Sequence, residues 1–235
     1  MDTQRIEPLD FISIVPTRTS DAEPRLSLDQ LRARFARHDG LRFADVLTGP
    51  RIREALDDHG VADRDRVFTP ITTIWGFLSQ VLSDDHSCRD TVSRIIAHRA
   101  ASGLKACSPN PASYCNARAR IPTGVLRTLA RRTARELQAD AAGEWKWDGR
   151  NVFIADGSHV SMPDTPENQA AYPQPPTQQP GLGFPLARVV VLLSLATGAC
   201  HDLAIAPYEG KGTGETTLLR AMYDALRPGD VLLAD

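Results

Sequence analysis

The spacing of apolar residues changes near residue 150, and this change divides the chain into two parts. In the first part, apolar positions recur every three or four residues, as they do along one face of a helix. Residues 71–82 form such a face, and Thr69-Pro70 before them supplies a cap and a proline at the first helical position. Further helices are predicted to begin at Ser87 or Asp90 and at Pro122. The first part is therefore predicted to be all-helical.

The second part is made of short apolar runs behind turn signals, which is the pattern of buried strands. The predicted strands are residues 151–156, 188–197, 200–207 and 230–235. A helix is predicted between the third and fourth strands, opening at Gly214-Glu215. The order strand, strand, strand, helix, strand predicts an α+β chain in which an all-helical N-terminal region precedes a mixed sheet.

Two of the apolar runs end on a carboxylate. Asp156 closes the first run and Asp235 closes the last. Catalytic groups are often found where strands end and loops begin. Two carboxylates held there by neighbouring strands could share a divalent cation, because hard cations such as Mg²⁺ prefer oxygen ligands. The alternative is that Asp156-Gly157 is only a turn.

Several segments around these aspartates resemble the insertion-sequence-four family of DDE transposases. The segments are 154–158 (IADGS), 162–168 (MPDTPEN), 181–185 (GLGFP), 210–215 (GKGTGE) and 229–235 (GDVLLAD). The resemblance covers residues 68–235 and is dense after residue 150.

This resemblance implies a ribonuclease-H-like catalytic domain, incomplete in this sequence, in a DNA transposase that cleaves element ends and joins them to target DNA. It identifies Asp156 and Asp235 with the first two carboxylates of an Asp, Asp, Glu triad that holds two Mg²⁺ or Mn²⁺ ions. The third carboxylate, a glutamate in a later helix, has no counterpart here. We therefore expect an N-terminal fragment that is inactive in cleavage on its own.

The resemblance and the composition together predict three regions. Residues 1–25 lack periodicity and are interpreted as a flexible arm. Residues 26–142 are interpreted as a helical, arginine-rich DNA-binding region, and residues 143–235 as the partial catalytic domain. No apolar run is long enough to span a bilayer, so we expect no membrane partner and a bacterial cytoplasmic, nucleoid-associated location. The implied partner is double-stranded DNA, at element ends and at the target, and a homodimer of the complete protein is left open.

Charge is unevenly distributed along a chain whose formal net charge is only −2. Between residues 86 and 135 the only acid is Asp90, whereas basic residues are frequent, which is typical of a phosphate-binding surface. The predicted DNA-binding residues are Arg89, Arg94, Arg99, Arg118, Arg120, Arg127, Arg131, Arg132 and Arg135. The alternative is a solvated helix face whose partner charges come from elsewhere in the fold, such as Asp57, Asp58, Asp63 and Asp65.

Two other functions compete with a transposase. The first is a non-catalytic DNA-binding or inhibitory remnant that uses the arginine-rich helices alone. The second is a metal-dependent hydrolase of small phosphoesters, for which salt-sensitive DNA binding is not expected.

The proline- and glutamine-rich residues 163–185 either lie beside the active site and contact DNA or form a plain surface connection.

Overall fold

The computed structural model describes residues 47–62, 66–179 and 181–234, so the predicted arm (residues 1–25) and Asp235 lie outside the described residues. In chain order the described helices and strands are α1 (Gly49–Asp58), α2 (Pro70–Val81), α3 (Cys88–Ala101), α4 (Ala112–Ala119), α5 (Thr123–Ala139), β1 (Val152–Ser161), α6 (Pro166–Ala171), β2 (Leu186–Ser194), β3 (Cys200–Pro207), α7 (Glu215–Arg220) and β4 (Val231–Leu233). Short 3₁₀ helices lie at Gly143–Trp145 and Tyr223–Ala225.

Local capping chemistry sets the starts of the predicted helices. The Thr69 hydroxyl accepts a hydrogen bond from the backbone N–H of Thr72 at 3.2 Å, and Pro70 is the first residue of α2. The Ser87 hydroxyl caps α3 by accepting from the N–H of Asp90 at 3.1 Å. The all-helical first part is thus confirmed over the described residues. No helix among them has the length and apolar content needed to cross a bilayer.

The first part has its own apolar core, in which α1, α2 and α5 meet. The buried residues of this core are Ile52, Ala55, Leu56, Ile74, Val125 and Leu129. All of them fall on the predicted apolar faces or within one turn of them, because burial at helical spacing is what produced the sequence pattern. Burial of these side chains provides the main stabilisation of the helical region.

The second part is a four-stranded sheet of order β3-β2-β1-β4. The pairs β1–β2 and β2–β3 are antiparallel, whereas β4 is parallel to β1, so the sheet is mixed as predicted. Helix α7 and the 3₁₀ turn after it cover one face, where Leu218 and Met222 pack on Val190 and Ala204. The four predicted strands and the helix before the last of them are confirmed, whereas the short α6 between β1 and β2 was not predicted.

The structure corrects the predicted end of the first strand. Strand β1 does not end at Asp156 but continues to Ser161, because the long β2 pairs with it as far as Leu186. The pairing of β1 with β4 is much shorter and ends at Ile154 and Leu233. Asp156 therefore lies inside a strand, two residues beyond the end of the described parallel pairing.

Two connections also differ from the prediction. The helix expected after Gly214 is short, because the chain tightens after Arg220 into turns such as Met222 N–H to Leu219 O at 3.0 Å. The insertion at residues 163–185 contains helix α6, which Thr165 caps by accepting from the N–H of Asn168 at 3.2 Å. This is the same Thr-Pro signal that begins α2.

A buried carboxylate connects the helical part to the sheet. The Asp202 side chain in β3 is fully buried and accepts hydrogen bonds from Arg127 Nε at 2.8 Å and from Arg131 Nη2. Arg131 also donates to Asp224 at 2.9 Å. Burial opposes ionisation of Asp202, but the bonds from Arg131 and Arg127 outweigh that effect and lower its pKa. We call Arg127, Arg131, Asp202 and Asp224 the Asp202 cluster.

Asp202→Asn should destabilise the fold by about 3 kcal/mol, because it leaves two guanidinium groups facing a neutral amide in a buried position. Asp224→Asn is the matched control. Its carboxylate is largely exposed (64%), so its loss should cost under about 1 kcal/mol. Urea unfolding of both variants measures the difference, and equal midpoints would show that the Asp202 cluster does not anchor α5.

The same variant has a pH signature. Since the pKa of Asp202 is lower in the folded than in the unfolded chain, its stabilisation is complete above the unfolded pKa of about 3.9. The contribution is lost as pH falls from there through the folded pKa. The unfolding free energy of Asp202→Asn should accordingly decline less steeply in acid than that of the wild type.

Candidate active site

Asp156 lies on β1, one of the two inner strands of the sheet, and is exposed to solvent. It pairs with Val191 of β2, which in turn pairs with Leu203 of β3. No hydrogen bond or ion pair engages its carboxylate within the described part of the chain. An ionised carboxylate accepts hydrogen bonds or binds cations but donates nothing, so its lone pairs remain available to a ligand.

The two faces of the sheet are distinguished by the glycine that follows Asp156. A Cβ atom built on Gly157 would overlap the carboxyl group of Glu215, so this face of β1 is in contact with the start of α7. Successive side chains of a strand point to opposite faces. Asp156 therefore projects from the face that α7 does not cover.

That second face, which we call the open face, is apolar around Asp156. Register places Ile154, Leu193, Val191, Leu203, Val189, Ile205 and Leu233 on it. Leu203, Ile205 and Leu233 are each close to half exposed, at 44–48%. Among the described residues, nothing packs over this part of the sheet closely enough to bury them. The carboxylate of Asp156 is thus a charged group on an uncovered apolar surface.

Strand β4 runs beside β1 in the same direction, which brings the carboxyl-terminal ends of both strands to one edge. Each β4 residue pairs with the β1 residue 79 positions earlier, namely Val152 with Val231, Phe153 with Leu232 and Ile154 with Leu233. Asp235, the second predicted site residue, lies outside the described residues.

Glu215 is a charged residue near Asp156 in the folded chain, but it lies on the opposite face of the sheet. Its carboxylate accepts a hydrogen bond from Arg188 Nη1 at 2.9 Å. The Arg188 guanidinium also lies 5.5 Å from the ring centroid of Tyr208. Sequence analysis placed Glu215 in the first turn of a helix and did not identify this pairing, because Arg188 is 27 residues away on another strand.

The chemistry of Asp156 fits a hard divalent cation, since it offers unengaged carboxylate oxygens. Within residues 47–62, 66–179 and 181–234, no cluster of three or more His, Cys, Asp or Glu side chains could hold a metal ion. A metal bound at Asp156 therefore needs ligands beyond these residues, and Asp235 is the candidate that the sequence supplies.

Six of the nine predicted DNA-binding arginines have partners inside the fold. Arg127 and Arg131 belong to the Asp202 cluster. Arg132 pairs with Asp58 at 2.6 Å, and Arg94 pairs with Asp90 at 2.8 Å. The remaining two hold loops and side chains: Arg99 donates to the carbonyl of Lys105, and Arg118 donates to Gln80. The alternative interpretation, partner charges from elsewhere in the fold, therefore accounts for part of this segment.

The other three arginines, Arg89, Arg120 and Arg135, are exposed. Their guanidinium groups have no hydrogen-bond or ion-pair partner among the residues that the structure describes. Of the aspartates proposed as partner charges, Asp58 is engaged with Arg132, whereas Asp63 and Asp65 lie outside the described residues. These three arginines are the members of the set that remain available to phosphate groups.

The insertion at residues 163–185 is an ordered connection between β1 and β2. Its base is closed by a hydrogen bond from Met162 N–H to the carbonyl of Pro185 at 2.9 Å. Inside it, the Gln174 side chain accepts from the N–H of Gly183 at 3.2 Å. Leu182 and Phe184 are 76% and 61% exposed. Strand β1 ends five residues after Asp156, roughly 17 Å along the strand, and the insertion begins two residues later.

A comparison with known proteins finds a partial similarity. Over 120 residues the chain is 28% identical to the "Putative transposase InsZ" of Escherichia coli (strain K12), a match that covers 51% of this chain and 39% of that protein. The chain thus spans less than half of the length of this curated relative. No family model and no solved structure matches the chain.

Asp156→Asn should leave the free energy of unfolding within about 0.5 kcal/mol of wild type, because the carboxylate is exposed and has no partner in the described structure. Denaturant unfolding of Asp156→Asn, measured alongside Asp202→Asn and the wild type, checks this prediction. A loss comparable to that of the buried aspartate would assign Asp156 a structural role and remove it from the candidate site.

Proposed function

We propose that this chain is part of a DNA transposase whose sheet carries a divalent-metal site at Asp156 and Asp235. The observation that carries the proposal is an exposed carboxylate with no partner among the described residues, on an inner strand next to a parallel strand that leads to a second aspartate. The similarity to a curated protein named a transposase supports the same class.

The proposed pairing of the two aspartates follows from strand register. Partners in β1 and β4 are separated by 79 positions, and the same separation relates Asp156 to Asp235. We propose that the register continues for two more residues and sets the two carboxylates side by side on the open face. Neighbouring strands lie about 4.8 Å apart, which suits two carboxylates that share one ion.

In this proposal the aspartates act as ionised oxygen ligands, and the fold is ribonuclease-H-like. Bound Mg²⁺ or Mn²⁺ supplies Lewis acidity toward the attacking hydroxyl and the leaving oxygen of a phosphodiester. Asp156 and Asp235 hold the charge that recruits the cation. The third carboxylate implied by the resemblance is not Glu215, because Glu215 is paired with Arg188 on the opposite face.

The proposed reaction is cleavage at element ends followed by transfer of the strand into target DNA. For the helical region we propose that Arg89, Arg120 and Arg135 contact DNA phosphates, while the six engaged arginines hold the scaffold. Phosphate contacts position a protein on the duplex without reading its sequence. A DNA-binding module without catalysis is the second candidate, since the three unpartnered arginines do not depend on Asp156.

Asp156→Asn should weaken Mn²⁺ binding roughly tenfold or more, since even changes in the outer shell of metal sites cost 10–100-fold. Asp235→Asn should do the same, whereas Asp84→Asn, an exposed aspartate in the turn after α2, is the matched control and should match wild type. The Mn²⁺ affinity of all three variants, made in the 235-residue chain, is measured from the electron paramagnetic resonance signal of free Mn²⁺.

The same variants separate the two candidate functions. Duplex affinity of Asp156→Asn should stay within about twofold of wild type, because DNA binding rests on other residues. In a longer protein that contains these residues, Asp156→Asn should abolish metal-dependent cleavage. If Asp156→Asn left both Mn²⁺ affinity and DNA binding unchanged, the result would favour the DNA-binding module and contradict the catalytic proposal.

Arg89→Gln and Arg120→Gln should each reduce the salt dependence of duplex binding, lowering the slope of log K against log salt by about 0.9 for each phosphate that is no longer neutralised. Arg53→Gln, an exposed arginine of α1 outside the arginine-rich segment, is the control and should keep the wild-type slope. Fluorescence anisotropy at several salt concentrations measures the slopes. Identical slopes in all variants would contradict DNA binding by this segment.

A further inference from the structure

A basic cavity of about 200 Å³ lies near the start of β1, on the face opposite to Asp156. Its polar lining comes from five parts of the chain: Arg135 and Gln138 of α5, Lys146 before β1, Asn151, His201 of β3, and Arg227 and Asp230 before β4. A water molecule occupies about 30 Å³ of liquid, so the cavity has room for a polyatomic ion together with water. We call it the basic cavity.

Positive charge dominates this lining. The head groups of Arg135, Lys146 and Arg227 have no hydrogen-bond or ion-pair partner within the described residues. Asp230 is the one acid of the lining, and both of its oxygens are engaged. One accepts from Asn151 Nδ2 at 3.0 Å, and the other accepts from the backbone N–H of Arg227 at 2.8 Å. Three basic side chains without partners therefore line the basic cavity, and the only carboxylate of the lining is already hydrogen-bonded.

His201 supplies a second, independent observation. The residue is only 4% exposed, and its ring packs edge-on against Phe153 with centroids 4.8 Å apart. Its Nε2 atom is buried and has no hydrogen-bond partner. Buried polar atoms almost always have a partner, and His201 is one of the residues that line the basic cavity, so its unpaired Nε2 calls for a ligand or an ordered water.

The electrostatic surroundings of His201 favour an anion over a cation as that ligand. Burial, together with Arg135 and Arg227, lowers the pKa of His201, against the opposing effect of Asp230. A neutral imidazole has one N–H to donate, and the three cations around it have only donors. A metal ion would be repelled by this lining, whereas an oxyanion would receive hydrogen bonds from several directions.

The C-terminal end of α5 offers a competing explanation, because its partial negative charge favours nearby cations. None of the three head groups, however, donates to a carbonyl oxygen of α5 in the described structure. The helix end also leaves Nε2 of His201 without a partner. It therefore does not account for the whole lining.

We propose that the basic cavity binds a phosphate group, with Arg135, Lys146, Arg227 and His201 Nε2–H as the donors to its oxygens. Phosphate presents several charged acceptors on one tetrahedral centre, which matches donors that converge from separate segments. The group comes either from the backbone of a DNA duplex or from a small phosphate compound. The proposal does not depend on a metal at Asp156.

Inorganic phosphate is the probe for the first experiment. The ring signals of His201 are followed by NMR in the 235-residue chain while phosphate replaces chloride at constant ionic strength. A saturable shift is expected, together with a higher pKa for His201, because a bound anion offsets the nearby cations. An unchanged His201 titration in phosphate and chloride would overturn the proposal.

Variants test whether the response comes from this cavity. Arg135→Gln and Lys146→Gln should each weaken phosphate binding roughly tenfold, since each removes a charge-assisted bond. Arg135 is exposed and Lys146 is half-buried, and neither has a partner among the described residues, so the fold should persist, which circular dichroism checks. Arg53→Gln, at an exposed position of α1 that does not line the cavity, is the matched control and should bind phosphate as the wild type does. Equal responses in all three variants would likewise overturn the proposal.

A second arm distinguishes the two sources of phosphate. Duplex affinity is measured by anisotropy for Arg135→Gln and Lys146→Gln beside Arg53→Gln. A roughly tenfold loss in the two cavity variants alone, together with loss of the phosphate response, assigns the site to the DNA backbone. Unchanged duplex affinity with the same loss of phosphate response assigns it to a small phosphate compound. Both results support a phosphate site, and they remain interpretable if Asp156→Asn has no effect on metal binding.

Discussion

The buried carboxylate of Asp202 is the constraint on which the arrangement of the two parts of the chain depends. A fully buried ion is costly unless it is paired and hydrogen-bonded, and Arg127 and Arg131 of α5 provide both. Because α5 is also part of the helical core through Val125 and Leu129, this interaction fixes that core against the edge strand β3. The arginine-rich segment therefore contains structural anchors, although composition alone makes every member look like a DNA-binding residue.

The position of α5 decides where the remaining charges fall. With Arg127 and Arg131 held at β3, the last turns of α5 pass over the start of β1, where Gln138 donates to Asn151 at 2.9 Å and accepts from Ser194. Arg135 is consequently directed to the basic cavity rather than to a carboxylate. The covered face of the sheet thus holds α5, α7 and the unpartnered cations, whereas Asp156 stands on the other face without any of them.

The features that sequence predicted are those encoded by neighbouring residues. Helix starts at Thr69-Pro70 and Ser87 depend on hydrogen bonds three residues away, and strand order follows from runs and turns. Other features depend on distant partners and were not predictable in this way. Strand β1 continues beyond Asp156 only because β2 pairs there. Arg127 is engaged because Asp202, 75 residues later, is buried beside it, and no local pattern separates Arg127 from the unpartnered Arg120.

The open face bears on the proposal that Asp156 binds a divalent cation. Soluble proteins seldom leave large apolar patches uncovered, so Leu203, Ile205 and Leu233 favour contact with further protein or with a ligand. Any group that covers them also removes water from around Asp156. An unpaired carboxylate is costly in such surroundings, while its attraction to a cation becomes stronger as the local dielectric constant falls. No basic side chain of the described sheet shares that face with Asp156, since Arg188 is committed to Glu215 on the other side. In the proposed function this compensation comes from a divalent cation held jointly by Asp156 and a second carboxylate, since both aspartates offer oxygen ligands.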